Sequence, residues 1–183
     1  MYWYKPLKRY TLFAGGLLLL GSWYACKPEI KETGATLKYF DMKDFFRADS
    51  ARLAAANKPV VKTVTHNGVT ETKKLLIQNW GQEFGLFVSS DINKPAWKDS
   101  YTIQQNADSI VYQAKFPELK TRRLVIKKQD GKVISVSVLN NISNLLYNTT
   151  EKLMYVPGKY YQIEKDQKVK VMGANNYVVK GVF

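Results

Sequence analysis

From Tyr101 to Phe183 the sequence runs as short β-branched and aromatic segments broken by turn residues, and this stretch constrains the fold more than any other feature. Turn signals fall at Asn106 to Asp108, Pro117 to Leu119, Asp130-Gly131, Asn148 to Lys152, Pro157-Gly158, Lys165 to Gln167 and Gly173 to Asn176. Segments this short and turns this close leave no room for crossover helices, so they predict a meander of antiparallel strands. Alternation marks one face of it, through Leu124 and Ile126, Tyr161 and Ile163, Val169 and Val171, then Tyr177, Val179 and Phe183. The turn at Asp130-Gly131 raises a question of register. A plain two-residue loop would set Leu124 and Ile126 opposite Ser137 and Ser135 and mix the faces. A three-residue loop, Gln129 to Gly131 with a bulge at Gly131, sets Ile126 opposite Ile134 and Leu124 opposite Val136. Register follows the buried face, which predicts the bulged loop.

Upstream, two amphipathic patterns supply cover for that sheet. Asp41 with Asp44 three residues on reads as a variant capping box opening a helix from about Met42 to Asn57. Its stripe holds Met42, Phe45, Phe46, Leu53 and Ala56, with Asp49 among them as a partly exposed acid paired with Arg52. A second helix is expected from about Asn79 to Ile92, presenting Trp80, Phe84, Phe87 and Val88, with Asp91 near the same face. Between them lies a β-branched stretch with Asn67-Gly68 at its centre, the dipeptide that best tolerates two positive φ angles, so it reads as a hairpin with His66 beside the turn. The fold class is α+β: two helices packed on a long curved antiparallel sheet in a single domain. At fold level this order is similar to the half-open barrels of lipoprotein-sorting carriers and receptors, and also to cystatin-like or nuclear-transport-factor-like sheets.

Residues 1 to 25 contain Lys5, Lys8 and Arg9 and no acid, then the apolar run Thr11 to Gly21 and the short segment ending at Ala25, with Cys26 next. A basic start, an apolar centre and a small residue at the boundary are the parts of a secretory signal. Followed by cysteine, the arrangement resembles the signal of bacterial lipoproteins, departing from it by Trp23 at the third position before the cysteine, where an aliphatic residue is usual. The resemblance implies a cleaved signal over 1–25, acyl chains such as palmitate on Cys26, a lipidated tether over 26–36 and a folded domain over 37–183. With Lys27 and no aspartate after the cysteine, the resemblance is also compatible with the outer membrane of a bacterial cell envelope. The competing reading is one uncleaved transmembrane anchor through Tyr10 to Cys26, held by the same basic residues. Both deliver the domain across the inner membrane, which argues against nucleic acid as a partner.

The chain of 183 residues has a formal net charge of +13, and Lys5, Lys8 and Arg9 account for three of those charges, so the domain itself remains basic. A field of that sign attracts anionic lipid or glycan. One Cys and one His leave no intrachain disulfide and no Cys/His metal cluster, and neither a metal nor a cofactor is expected. The sequence carries no phosphate-binding glycine loop, dinucleotide fingerprint or nucleophile elbow. Composition therefore favours a binding or assembly module of the envelope over an enzyme. The alternatives are a lipid or lipoprotein carrier with a half-barrel cavity, and a small hydrolase drawing a carboxylate pair from Asp49, Glu83, Asp91 and Asp99. Candidate ligand-binding residues are the aromatics Trp80, Phe84, Phe87 and Trp97, and Arg122 and Arg123 in the basic segment Lys120 to Lys128. Strict alternation would send Arg122 to the face of Leu124 and Arg123 to the other. Partners are then the membrane itself, through the Cys26 lipid, and an envelope protein or an anionic lipid or glycan.

Overall fold

In the computed structural model, which describes residues 37–170 and 173–183, nine strands form one open antiparallel sheet. The expectations for Cys26, the signal, the tether and Val171 lie outside the described residues. Chain order is α1 (Met42–Ala56), β1 (Val60–His66), β2 (Val69–Leu75), α2 (Trp80–Glu83), α3 (Gly85–Ser89), a 3₁₀ turn (Pro95–Trp97), then β3 (Tyr101–Gln105), β4 (Ser109–Ala114), β5 (Thr121–Gln129), β6 (Lys132–Ser143), β7 (Tyr147–Val156), β8 (Tyr160–Val169) and β9 (Gly173–Val182). Strands β3 to β9 are consecutive neighbours, and β1 pairs with β9, so the early hairpin extends the meander. The class is α+β, a single large sheet with a few short helices, and β2 and β3 are its free edges.

Local chemistry explains the first half. The Asp41 carboxylate accepts the Asp44 N–H at 2.9 Å and caps α1, and Asn57 ends the helix in the left-handed region. Asn67 and Gly68 both have positive φ, and His66 pairs with Val69, the geometry of a two-residue hairpin. The continuous second helix is replaced by α2 and α3, broken at Phe84. Gly81 and Gly85 weaken a continuous helix by about 1 kcal/mol each. Ser89 and Ser90 hydroxyls then both donate to the Leu86 carbonyl, ending the segment.

The meander departs from expectation at three turns. Asn148 to Lys152, Lys165 to Gln167 and Gly173 to Asn176 lie within β7, β8 and β9. Asp166 and Gln167 pair with Asn176 and Asn175 where the sheet is half-buried or exposed, and in β7 the inner face is itself polar: Thr121, Asn140 and Glu151 form one inner row of paired positions, all buried, where Asn140 Nδ2 donates to Ser90 Oγ at 2.8 Å and to Glu151 Oε2 at 3.1 Å. Beside it Thr149, also buried, pairs with Ile142 and Gln167, and the two rows on the other side are apolar. Ile126, Val136, Tyr155 and Tyr161 are consecutive partners, as are Leu124, Val138, Leu153 and Ile163. Phe46 of α1, Phe84 and Phe87 pack on this face, with ring centroids 4.9–5.2 Å apart between Phe46 and Phe87, Phe84 and Tyr155.

The hairpin at Asp130-Gly131 also corrects the expected register. Both turn residues have positive φ and Gln129 pairs with Lys132, so the loop has two residues, not three. The extra residue is Ile134, which bulges out between Lys127–Ser135 and Lys128–Val133 and is 42% exposed. That single insertion places Ile126 against Val136 and Leu124 against Val138. The buried face decides register, as expected, but through a bulge inside the strand.

Candidate functional site

The residues that alternate with the core positions line a trough of about 700 Å³ on the face of the sheet opposite the helices. One row of partners across β5 to β8 is Val125, Ser137, Met154 and Gln162, and the next is Arg123, Leu139, Lys152 and Glu164. Lys127 pairs with Ser135 beside them, and Tyr160 closes one side, its ring lying 5.3 Å from the Lys180 ammonium. Val125, Leu139 and Met154 give the trough an apolar floor, while Arg123, Lys127 and Lys152 bring positive charge to its walls. Glu164 is the one carboxylate among the lining residues and accepts the Gln162 amide at 2.7 Å. Cations over an apolar floor suit a ligand that pairs a negative group with hydrocarbon or sugar surface.

Arg122 departs from the alternation. A second bulge falls between Thr121 and Arg123, which pair with adjacent residues Asn140 and Leu139, leaving Arg122 extra. Thr121 stays buried, and Arg122 lines a neighbouring recess with Gln113, Leu139 and Asn141 while donating to the Phe116 carbonyl at 2.6 Å. The two arginines that the sequence assigns to opposite faces thus border adjoining recesses that share Leu139.

Of the aromatic candidates, Trp80, Phe84 and Phe87 lie inside the core, the last two with no exposed surface. Their rings are packed against Phe46, Tyr155, Tyr161 and Phe183. Trp97 is half-buried, with the Lys94 ammonium 4.0 Å above its ring. His66 stacks on Tyr177 at 4.2 Å beside the Asn67-Gly68 turn.

Each of the four candidate carboxylates is taken up by partners of its own. Asp49 is buried, not partly exposed, because it accepts hydrogen bonds from both Arg52 and the Tyr155 hydroxyl at the helix–sheet contact. Glu83 repeats the device with Tyr161 at 2.5 Å and Lys62 at 2.7 Å. Asp91 is buried and accepts the Asn93 backbone N–H at 3.2 Å, with Lys43 at 3.8 Å. Asp99 is on the surface, held below the usual carboxylate range by its hydrogen bond from Lys38, whose own ammonium is raised by the same contact. Burial, reinforced by the carboxylate each one meets, pushes the Tyr155 and Tyr161 hydroxyls well above the ordinary tyrosine value. Both phenols therefore stay protonated and serve as donors to buried anions. Among the described residues, no group of three or more His, Cys, Asp or Glu is arranged to hold a metal ion.

Fold and site together define a class, an open antiparallel sheet with helices on one face and a basic trough on the other. Among known proteins, no family, no curated protein and no solved structure matches this chain.

Proposed function

We propose that the domain is a binding module of the bacterial cell envelope, held to the membrane through Cys26, whose trough receives an elongated anionic amphiphile. The observation that carries this reading is the pairing of Arg123, Lys127 and Lys152 with the apolar floor of Val125, Leu139 and Met154 in one recess of about 700 Å³. That volume is within the range of small-molecule sites, about 300–1,000 Å³. In this reading the sheet is the curved wall of a half-barrel, and the ligand lies on its outer side, because the helix side is filled by rings. The proposal assigns the trough no catalytic step. Its outer-membrane address rests on the lipoprotein resemblance of the N-terminus.

Titration of the full chain with a short-chain phosphatidylglycerol, below the concentration at which it forms micelles, tests the reading. Saturable binding should appear by calorimetry and weaken about tenfold or more in Arg123→Gln/Lys152→Gln, since each charge-assisted contact contributes roughly 1.5–3 kcal/mol. A phosphatidylcholine of equal chain length should bind more weakly. Binding that is absent, or unchanged in the double variant, overturns the proposal.

A further inference from the structure

The two ends of the sheet differ in chemistry. At the end formed by the β3–β4, β5–β6 and β7–β8 connections, the turns are Asn106 to Asp108, Asp130-Gly131 and Pro157 to Lys159, made of polar residues with alanine, proline and glycine. At the other end, the β4–β5 and β6–β7 connections carry Phe116, 51% exposed, and Leu145 and Leu146, 83% and 70% exposed. No exposed large hydrophobic lies in the three turns of the first end among the described residues. The leucine turn is closed by hydrogen bonds. Asn144 Oδ1 accepts the N–H groups of both Leu146 and Tyr147 at 2.9 Å, and Lys170 N–H binds the Leu146 carbonyl at 3.1 Å. The backbone is thereby satisfied while both leucine side chains face outward.

The chain enters the domain at this same end. Leu37 is half exposed, Lys38 bonds Asp99 at 2.6 Å, and Asp99 accepts the Lys115 ammonium through its carbonyl at 2.8 Å, one residue before Phe116. Lys98, Lys115 and Lys170 are exposed around the apolar tips, against Glu118 and the Lys38-bound Asp99. Upstream of Leu37 stand only the residues Lys27 to Thr36 before Cys26, which span at most about 35 Å when fully extended. A strand as long as β6 covers about 40 Å. Even fully drawn out, that segment falls short of the polar end, whereas the apolar end adjoins Leu37, where the chain enters the domain.

The geometry points to a second membrane contact: Phe116, Leu145 and Leu146 insert into the bilayer that anchors the N-terminus, and the surrounding lysines face its anionic headgroups. This inference rests on the membrane anchoring in the proposed function and is independent of the trough. It orients the domain with the leucine turn down and the turn at Asp130 away from the lipid.

The test places a photo-crosslinking benzoylphenylalanine at Leu145, or at Asp130 as the distal control, in the full chain reconstituted into vesicles of phosphatidylethanolamine with phosphatidylglycerol. Flotation before illumination reports anchoring alone, and a chain that fails to float with the vesicles overturns the anchoring reading and this inference together. In floating chains, lipid adducts at position 145 should exceed those at position 130 on the order of tenfold, the partition expected from burying a large apolar side chain. They should fall in vesicles of phosphatidylcholine alone. Equal yields at the two positions overturn the inference and leave anchoring intact. The same probe at Phe116 should lose its lipid adducts in Leu145→Asp/Leu146→Asp, a change confined to exposed side chains, and adducts unchanged in that variant overturn the role of the leucine turn.

Discussion

Consecutive residues of the same strands meet two different environments. Leu124, Val138, Leu153 and Ile163 form a buried row under the helices, and one residue along Val125, Ser137, Met154 and Gln162 form the floor of an open trough. The inner face is closed by rings and by two tyrosine–carboxylate contacts, Tyr155 with Asp49 and Tyr161 with Glu83. The outer face carries its charges on long side chains in water. Only the outer face can change without loss of the fold. An inner side chain has no alternative partner once the helices are seated, while an outer one exchanges a neighbour for solvent at little cost.

The two faces should differ most in Phe46→Ala, which removes the ring that touches Phe84, Phe87 and Tyr155 at once. It should lower unfolding stability by about 3–5 kcal/mol in urea melts. The outer-face Met154→Ala should lower it by less than half as much, because Met154 is packed on one side only. Equal losses would mean that the two faces are alike. Next comes Gly181→Ala. A methyl group at this position would enter the Tyr161 ring on the neighbouring strand, so a loss of about 1–3 kcal/mol is expected. The loss should shrink in a Tyr161→Leu background, where the double-mutant cycle would read the contact directly.

Alkaline pH separates the faces more gently. Tyr155 and Tyr161 have folded-state values raised above those of the unfolded chain. Their stabilising contribution is therefore complete below about pH 10, the unfolded tyrosine value, and is lost as pH climbs from there towards the folded values. Denaturation midpoints should fall above that pH, and Tyr161→Phe should flatten the decline. A midpoint independent of pH up to the alkaline limit would contradict the buried donor role. Arg123→Gln/Lys152→Gln, by contrast, should change stability by no more than about 0.5 kcal/mol while weakening ligand binding. A similarly small effect is expected from deleting Ile134. Without it, Lys128–Val133 and Lys127–Ser135 become successive pairs of a regular ladder, and Ile126 still meets Val136. Stability should change by about 1 kcal/mol or less in the same melts; unfolding on deletion would show that the bulge itself shapes the sheet.

Much of the site was hidden for one physical reason. Alternation correctly separates Arg123 and Lys127 from Leu124 and Ile126, because the period of a strand is local. The same rule misplaces Arg122, because a bulge depends on what the partner strand offers and leaves no local signature. Trp80, Phe84 and Phe87 look alike as pocket lining or as core, and only their neighbours decide between the two. The burial of Asp49 had a faint signal in its place within the apolar stripe, but its tyrosine partner lies more than a hundred residues away.

By itself the sequence determined the elements whose cause is near at hand: α1 with its Asp41 cap, the Asn67-Gly68 hairpin, the alternating strands and the turns at Asn106, Asp130 and Pro157. Only the tertiary structure decided where β1 would join the sheet, which polar runs would be strand, where the bulges at Arg122 and Ile134 would fall and which end of the sheet would gather the exposed leucines. Caps and tight turns are selected by interactions within a few residues, whereas register and exposure are set by burying a whole face against elements far away in the chain.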